Sequence, residues 1–308
     1  MLRCLLLLAA MTMSFASSAA GRPVDAGGFP ATLEVPSEAG PLVVMVAGSG
    51  PTDRDGNSVL GVRAGYLRKL ADALAERGIA SLRYDKRGLP GSAPAGNEAD
   101  VTFATYVEDL RSVIGWAAAG YPDRPLVLLG HSEGGMVAIE AAKAAPDAIS
   151  GLVLLATPGR PPGETLRDQL SNLPQPGRAE ALVILGELEA GRRVGAVPPT
   201  LAGLFRPSVQ PFMISMLALR PAETLAAVAM PALVVGGGTD IQVTRADFDA
   251  LAQARPDVES RWFPAMNHVL ADAPADFAGN VATYADPDTA LTSGLADAIA
   301  GFVRAVGE

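Results

Sequence analysis

Apolar residues fall along this chain in short unbroken runs, separated by stretches in which they recur at helical spacing. Pro41-Leu-Val-Val-Met-Val-Ala47 is apolar throughout and stops at Gly48-Ser49-Gly50-Pro51, which predicts a buried strand ended by a turn. Tyr66–Arg77 carries Leu67, Leu70 and Leu74 on one helical face, with Gly78 placed to terminate the helix. Ile79–Tyr84 reads as a short strand followed by the loop Asp85-Lys86-Arg87-Gly88. Beyond it the pattern predicts a helix over Val107–Ala118, a buried strand over Leu126–Leu129, an Ala-rich helix over Gly134–Ala145 and a strand over Leu152–Ala156. Leu233–Val235 runs into three glycines, and Arg261–Phe263 is the last strand expected. Wholly apolar strands alternating with helices predict an α/β fold, a mostly parallel sheet covered on both faces.

Between Pro158 and Pro221 that alternation stops. Prolines cluster there (Pro161, Pro162, Pro174, Pro176, Pro198, Pro199, Pro207, Pro211), and the remainder reads as helix or loop. Ala181–Leu188 is apolar enough for a strand, but Arg178, Glu180 and Glu189 around it suit a helix better. Residues 158–221 are therefore expected as a helical cap over the C-terminal edge of the sheet. Residues 21–157 and 222–308 then form the core.

The first twenty residues have a different pattern. Arg3 precedes a 12-residue apolar stretch, Cys4–Phe15, and small residues follow through Ala20. This is the layout of a signal peptide cleaved near Ala20, and 12 residues are too few for a bilayer span, which needs about 20. The expected mature chain is exported, periplasmic or secreted, without a membrane span. It holds no cysteine, because the only one is Cys4.

Composition narrows the chemistry. Acidic residues outnumber basic ones 33 to 24, for a formal charge of −9, and no basic run is present for phosphate backbones, so nucleic acid is not an expected partner. A hydrophobic content of 49% excludes a disordered chain. One Cys and two His cannot build a Cys/His zinc site or a disulfide framework.

Leu126-Val-Leu-Leu-Gly130-His131-Ser132-Glu133-Gly134-Gly135 is strand, then Gly-x-Ser-x-Gly, then helix, the context of a nucleophile elbow. The helix that follows points its positive end at Ser132, which favours an oxyanion there. A serine nucleophile needs a base. His131 is its neighbour on the elbow, where the two side chains diverge, so His268, 136 residues after Ser132, is the base. In enzymes built on such an elbow the acid lies between serine and histidine in the chain. Asp240 follows a strand end and is the candidate. Asp247 and Asp249 fall in the next helix, Asp257 in a polar turn, and Glu223 lies farther from a strand end. The oxyanion hole is expected from the N–H of Glu133 and from Ser49, or Gly48, in the loop after the first long strand.

Ser132, Asp240 and His268 in this order resemble the α/β-hydrolase fold over roughly residues 40–305. More narrowly, Gly48-Ser-Gly-Pro-Thr-Asp-Arg-Asp-Gly-Asn57 is similar to a Gly-Ser-Gly-Pro-x-Asp-Arg-Asp signature. That signature marks bacterial carboxylesterases related to dienelactone hydrolases and serine aminopeptidases. Tyr84–Gly88, Gln210–Phe212, Thr239–Val243 and Asn267–Val269 also resemble that group's motifs. Ala47 departs from it, since many relatives carry His before the oxyanion glycine. The resemblance implies ester hydrolysis without metal or cofactor, often on short acyl chains.

Asp53, Arg54, Asp55, Asp85 and Arg87 read as internal pairs that hold the oxyanion loop, with contact to a polar substrate end as the alternative. Phe212, Met213, Met216 and Leu217 in the insertion would line an acyl pocket or pack the cap on the core; Phe212 and Met216 are taken as substrate-binding. The expected activity is a serine carboxylesterase with a small-molecule ester substrate. The same triad would serve an aminopeptidase, thioesterase or acyltransferase, and Glu164, Glu187 and Glu189 are the carboxylates available to hold a peptide's ammonium. A dehalogenase would carry Asp at the elbow. A non-catalytic binding protein would be expected to lack a triad member.

Overall fold

The computed structural model describes residues 21–308 apart from positions 38, 95 and 172; the expected signal peptide, 1–20, lies outside the described residues. The elements run β1 (Arg22–Asp25), β2 (Pro30–Glu34), β3 (Leu42–Val46), α1 (Tyr66–Ala75), β4 (Ala80–Tyr84), α2 (Phe103–Gly120), β5 (Leu126–His131), α3 (Glu133–Ala144) and β6 (Gly151–Leu155). Five helices follow, α4 (Pro162–Leu170), α5 (Gly177–Glu189), α6 (Ala202–Phe205), α7 (Gln210–Leu217) and α8 (Pro221–Ala226). The chain ends with β7 (Ala232–Gly237), α9 (Arg245–Ala252), β8 (Glu259–Phe263), α10 (Phe277–Ala285) and α11 (Leu295–Gly307).

The eight strands form one sheet in the order β1-β2-β4-β3-β5-β6-β7-β8. From β4 to β8 every pairing is parallel, and β3 sets the logic: Leu42, Val44 and Val46 face one way, Val43 and Met45 the other, all buried. The first face packs on Leu110, Val113 and Val137 of α2 and α3, and on Leu251 of α9. The second packs on Leu67, Leu70 and Leu74 of α1 and on Ile299, Phe302 and Val303 of α11.

β1 and β2 extend the sheet antiparallel at one edge, and the apolar-run pattern does not foretell them. β1 is mostly exposed and β2 alternates half-buried Pro30 and Thr32 with buried Ala31 and Leu33, so neither carries a continuous apolar signal. β5 runs two residues past the apolar stretch because Gly130 and His131 pair with Leu154 and Leu155. α2 begins four residues earlier than its periodicity suggests, where Thr102 and Thr105 cap each other.

The segment between β6 and β7 is helical, including Ala181–Leu188. Its buried Ala181, Leu185, Leu188 and Phe205 belong to the same apolar cluster as the face of the sheet that packs on α2 and α3. The buried Gln210 amide ties it together, donating to the carbonyls of Val194 and Phe205 (2.8 Å each) and accepting from the Val194 N–H (2.8 Å). Asp247, fully buried in α9, anchors the segment to the sheet through Arg160 (2.8 Å) and the Thr165 hydroxyl (2.8 Å). Among the described residues no helix is long and apolar enough to cross a membrane.

Candidate active site

Ser132 stands between β5 and α3 with φ 54° and ψ −123°, a conformation that non-glycine residues adopt only when the surroundings impose it. The surroundings do impose it. The Ser132 N–H donates to the Leu155 carbonyl (2.9 Å), and the strand and helix on either side are pressed together. A Cβ on Gly130 would lie 2.4 Å from the Gly134 carbonyl oxygen, and one on Gly134 would lie 2.4 Å from that of Val46. Both glycines of Gly-x-Ser-x-Gly are thus required by backbone contact, and the turn leaves Ser132 on the wall of a cavity.

His268 lies in the turn after β8 and is 6% exposed. Its Nδ1 is 2.8 Å from Asp240 Oδ2, and the acceptor carboxylate places the proton on Nδ1. The other Asp240 oxygen accepts the N–H groups of Gln242 (2.7 Å) and Val243 (2.9 Å), so the carboxylate is held from both sides. The histidine turn is built on the fully buried Asn267. Its Oδ1 accepts from the N–H of Val269 (3.1 Å) and Ala271 (3.3 Å), while its Nδ2 donates to Thr283 Oγ1 (2.7 Å).

His131 is buried with both ring nitrogens engaged. Nε2 is 2.8 Å from the His268 carbonyl, which only accepts, so Nε2 carries the proton and Nδ1 accepts from the Tyr66 hydroxyl (3.1 Å). Burial, reinforced by the nearby His268, holds its pKa well below the usual histidine range, so it stays neutral. His131 therefore has no free nitrogen for the serine proton.

The loop after β3 faces the start of α3. Neither the Ser49 N–H nor the Glu133 N–H has a hydrogen-bond partner among the described residues, and both residues line a large cavity. Behind the loop, buried Lys86 donates its ammonium to the Gly48 carbonyl and stands 3.9 Å from the buried Glu133 carboxylate. Burial lowers the Lys86 pKa and raises that of Glu133, against the attraction between the two. The charged motif residues are paired, as read from the sequence. Arg54 bonds Asp85 (2.6 Å), Asp55 meets Arg83, Arg87 meets Asp109 (2.6 Å), and Asp53 accepts the N–H of Asp55 (2.9 Å) and Asn57 (2.8 Å).

Two cavities meet at Ser132. One, about 130 Å³, is lined by His268, Tyr66, Tyr284, Ser58 and Thr52. The other, about 600 Å³, runs under the helical insertion past Met136, Leu166, Phe212, Met213 and Met216. Ser49, Leu60 and Gln242 border both. Sequence reasoning thus brought Ser132, Asp240, His268, Ser49, Glu133, Phe212 and Met216 to one region. It assigned no role to Lys86 or Asn267, although they sit inside the Tyr84–Gly88 and Asn267–Val269 motifs, nor to Tyr66. Glu164, Glu187 and Glu189 line neither cavity, and Glu187 and Glu189 are bound to Arg192 (2.7 Å) and Arg167 (2.8 Å).

Residues 60–186 match the family model described as serine aminopeptidase, S33. Esterase EstD of Thermotoga maritima is 29% identical over 262 residues, covering 81% of this chain and 60% of that protein. The chain therefore spans less than two thirds of that curated relative's length. Among solved structures, Est1E of Butyrivibrio proteoclasticus with ferulic acid bound is similar with a TM-score of 0.58 at 18% identity, over 92% of this chain and 96% of that one. Proline iminopeptidase of Mycobacterium smegmatis has a TM-score of 0.56 at 18% identity, over 93% of this chain and 98% of that one. With a mostly parallel sheet, a strand–elbow–helix unit at Ser132 and these likenesses, the chain has an α/β-hydrolase fold.

Proposed function

We propose that the protein is a serine carboxylesterase that cleaves carboxylic esters through an acyl-enzyme intermediate. Ser132 Oγ attacks the acyl carbon while His268 Nε2 takes its proton. Asp240 holds the imidazole by Nδ1 and stabilises the imidazolium. The Ser49 and Glu133 N–H groups donate to the tetrahedral oxyanion. His268 then gives the proton to the leaving oxygen, the C–O bond breaks, and the acyl group remains on Ser132. Water attacks this intermediate, His268 takes its proton, and the acid departs from a regenerated serine. No cofactor enters the scheme.

The observation that carries this reading is a single cavity lined by both Ser132 and His268, with His268 Nδ1 bonded 2.8 Å from Asp240. The likeness to an esterase at 29% identity supports it. A peptidase acting on free N-termini would need a carboxylate aimed at the substrate's ammonium. The arginine pairs of Glu187 and Glu189 weigh against that use. In the same proposal residues 1–20 direct export, and the mass of the mature protein, beginning at Gly21, checks it.

The test is hydrolysis of p-nitrophenyl esters from acetate to palmitate by the native protein and by Ser132→Ala. Turnover that disappears in Ser132→Ala supports the reading. Turnover that survives the substitution, or a folded native protein without activity on any ester, overturns it.

A further inference from the structure

The two cavities at Ser132 differ in size and in the groups they contain, and this difference defines the ester. His268 lines the small one, of about 130 Å³, with the hydroxyl-bearing Thr52, Ser58, Tyr66 and Tyr284. It does not line the large one, of about 600 Å³, which holds the Glu133 side of the elbow and the apolar side chains of the insertion. Ser132 and Ser49 border both, so the reacting carbon sits at their junction.

Chemistry assigns the halves. The group that takes the serine proton must hand it to the leaving oxygen, so the alcohol departs on the histidine side. The acyl group stays on Ser132 and must occupy the other side. A cavity of this volume with an apolar lining is within the range that encloses a drug-sized ligand, whereas the histidine chamber is below it. Resting on the esterase reading above, we infer that the substrate class is esters of a bulky apolar acid with a small alcohol. The acyl group is then larger than the short chains that the sequence resemblance implies. Leu60, 78% exposed on the rim, and Gln242 border both chambers.

Ethyl octanoate and octyl acetate test this, because they are isomers with the long chain on opposite sides of the ester. Hydrolysis is followed by titrating the released acid, with Ser132→Ala as the blank. Ethyl octanoate is expected to exceed octyl acetate at least about tenfold in kcat/KM, the low end of what one methylene contributes in an apolar pocket. Met216→Trp, which fills the large chamber, is expected to lower the ratio of ethyl octanoate to ethyl acetate turnover. Serine-dependent hydrolysis with the two isomers equal, or with octyl acetate preferred, overturns the assignment and leaves the esterase reading standing. Serine-dependent hydrolysis of neither isomer nor any other ester overturns both. If Met216→Trp fails to fold, the isomer ratio of the native protein decides alone.

Discussion

His131 Nε2 donates to the main-chain carbonyl of His268 across 2.8 Å, so the residue before Ser132 holds the turn that carries His268. The bond joins the end of β5 to the turn after β8. Tyr66 completes it by donating to His131 Nδ1 (3.1 Å). Replacing His131 by Phe would leave a buried carbonyl and a buried hydroxyl unpaired, at about 1–3 kcal/mol each. We expect His131→Phe to lower Tm and to cut kcat about tenfold with KM little changed. His131→Gln, whose terminal amide reaches the place of Nε2, should recover part of kcat. Steady-state kinetics on the three proteins checks this; unchanged kcat in the Phe variant would remove the positioning role.

The same histidine makes stability depend on pH. Burial, reinforced by the neighbouring His268, holds His131 neutral in the fold, whereas in the unfolded chain it protonates below about pH 6.5. The unfolded state then binds more protons, so stability rises with pH and is lost as pH falls below about 6.5, by up to about 1.4 kcal/mol per pH unit. Glu34 and Glu133, raised by burial, act in the opposite sense above about pH 4.5, so the comparison between proteins isolates the histidine. Denaturant unfolding of native protein and His131→Gln between pH 5 and 7 should show the gap between them changing in favour of the variant as pH falls. Parallel curves would refute this.

Asp240→Asn separates charge from geometry. The Asn oxygen can still accept the N–H groups of Gln242 and Val243, so the turn should keep its shape. The amide, however, would present N–H to His268 Nδ1 and drive the proton to Nε2, where it blocks acceptance from Ser132. A drop of about 10⁴ in kcat with a near-native Tm is expected, the size seen when a triad aspartate loses its charge. Kinetics and thermal unfolding of the same sample decide it. A loss below tenfold would mean that another acid orients His268.

These cases show why parts of the site were legible in the sequence and others were not. Ser132, His268 and Asp240 stand out because a strand–turn–helix pattern, a scarce residue type and chain order each leave a local mark. The central strands were legible because both their faces are buried. β1 lacks that signal because its exposed positions admit Arg, Pro and Asp, and β2 because half-buried Pro30 and Thr32 interrupt it and its buried Glu34 pairs with Arg83. Tyr66 carries no mark of its role, because its partner His131 is 65 residues away and only folding brings them together. The two chambers were equally invisible, the larger being set by how the helical insertion packs over Ser132 and the smaller by residues from distant parts of the chain, Thr52 to Tyr284.

Lys86 gives the last prediction. A peptide plane is rigid, so holding the Gly48 carbonyl fixes where the Ser49 N–H on the same plane points. Lys86→Met would free that carbonyl and strand the buried Glu133 carboxylate without its counter-charge. Losing an oxyanion donor outright costs about 10²–10³ in kcat, and a donor that is displaced but still present should cost less, about tenfold to a hundredfold. The uncompensated carboxylate adds a second, separable effect on stability, because breaking a buried pair by removing one partner is costly. Lys86→Met/Glu133→Gln removes that charge, and so should regain Tm over the single variant while kcat stays low, since the Gly48 carbonyl is still unheld. If kcat returned together with Tm, Lys86 would serve only to neutralise Glu133, and the orientation of the Ser49 N–H would have another source.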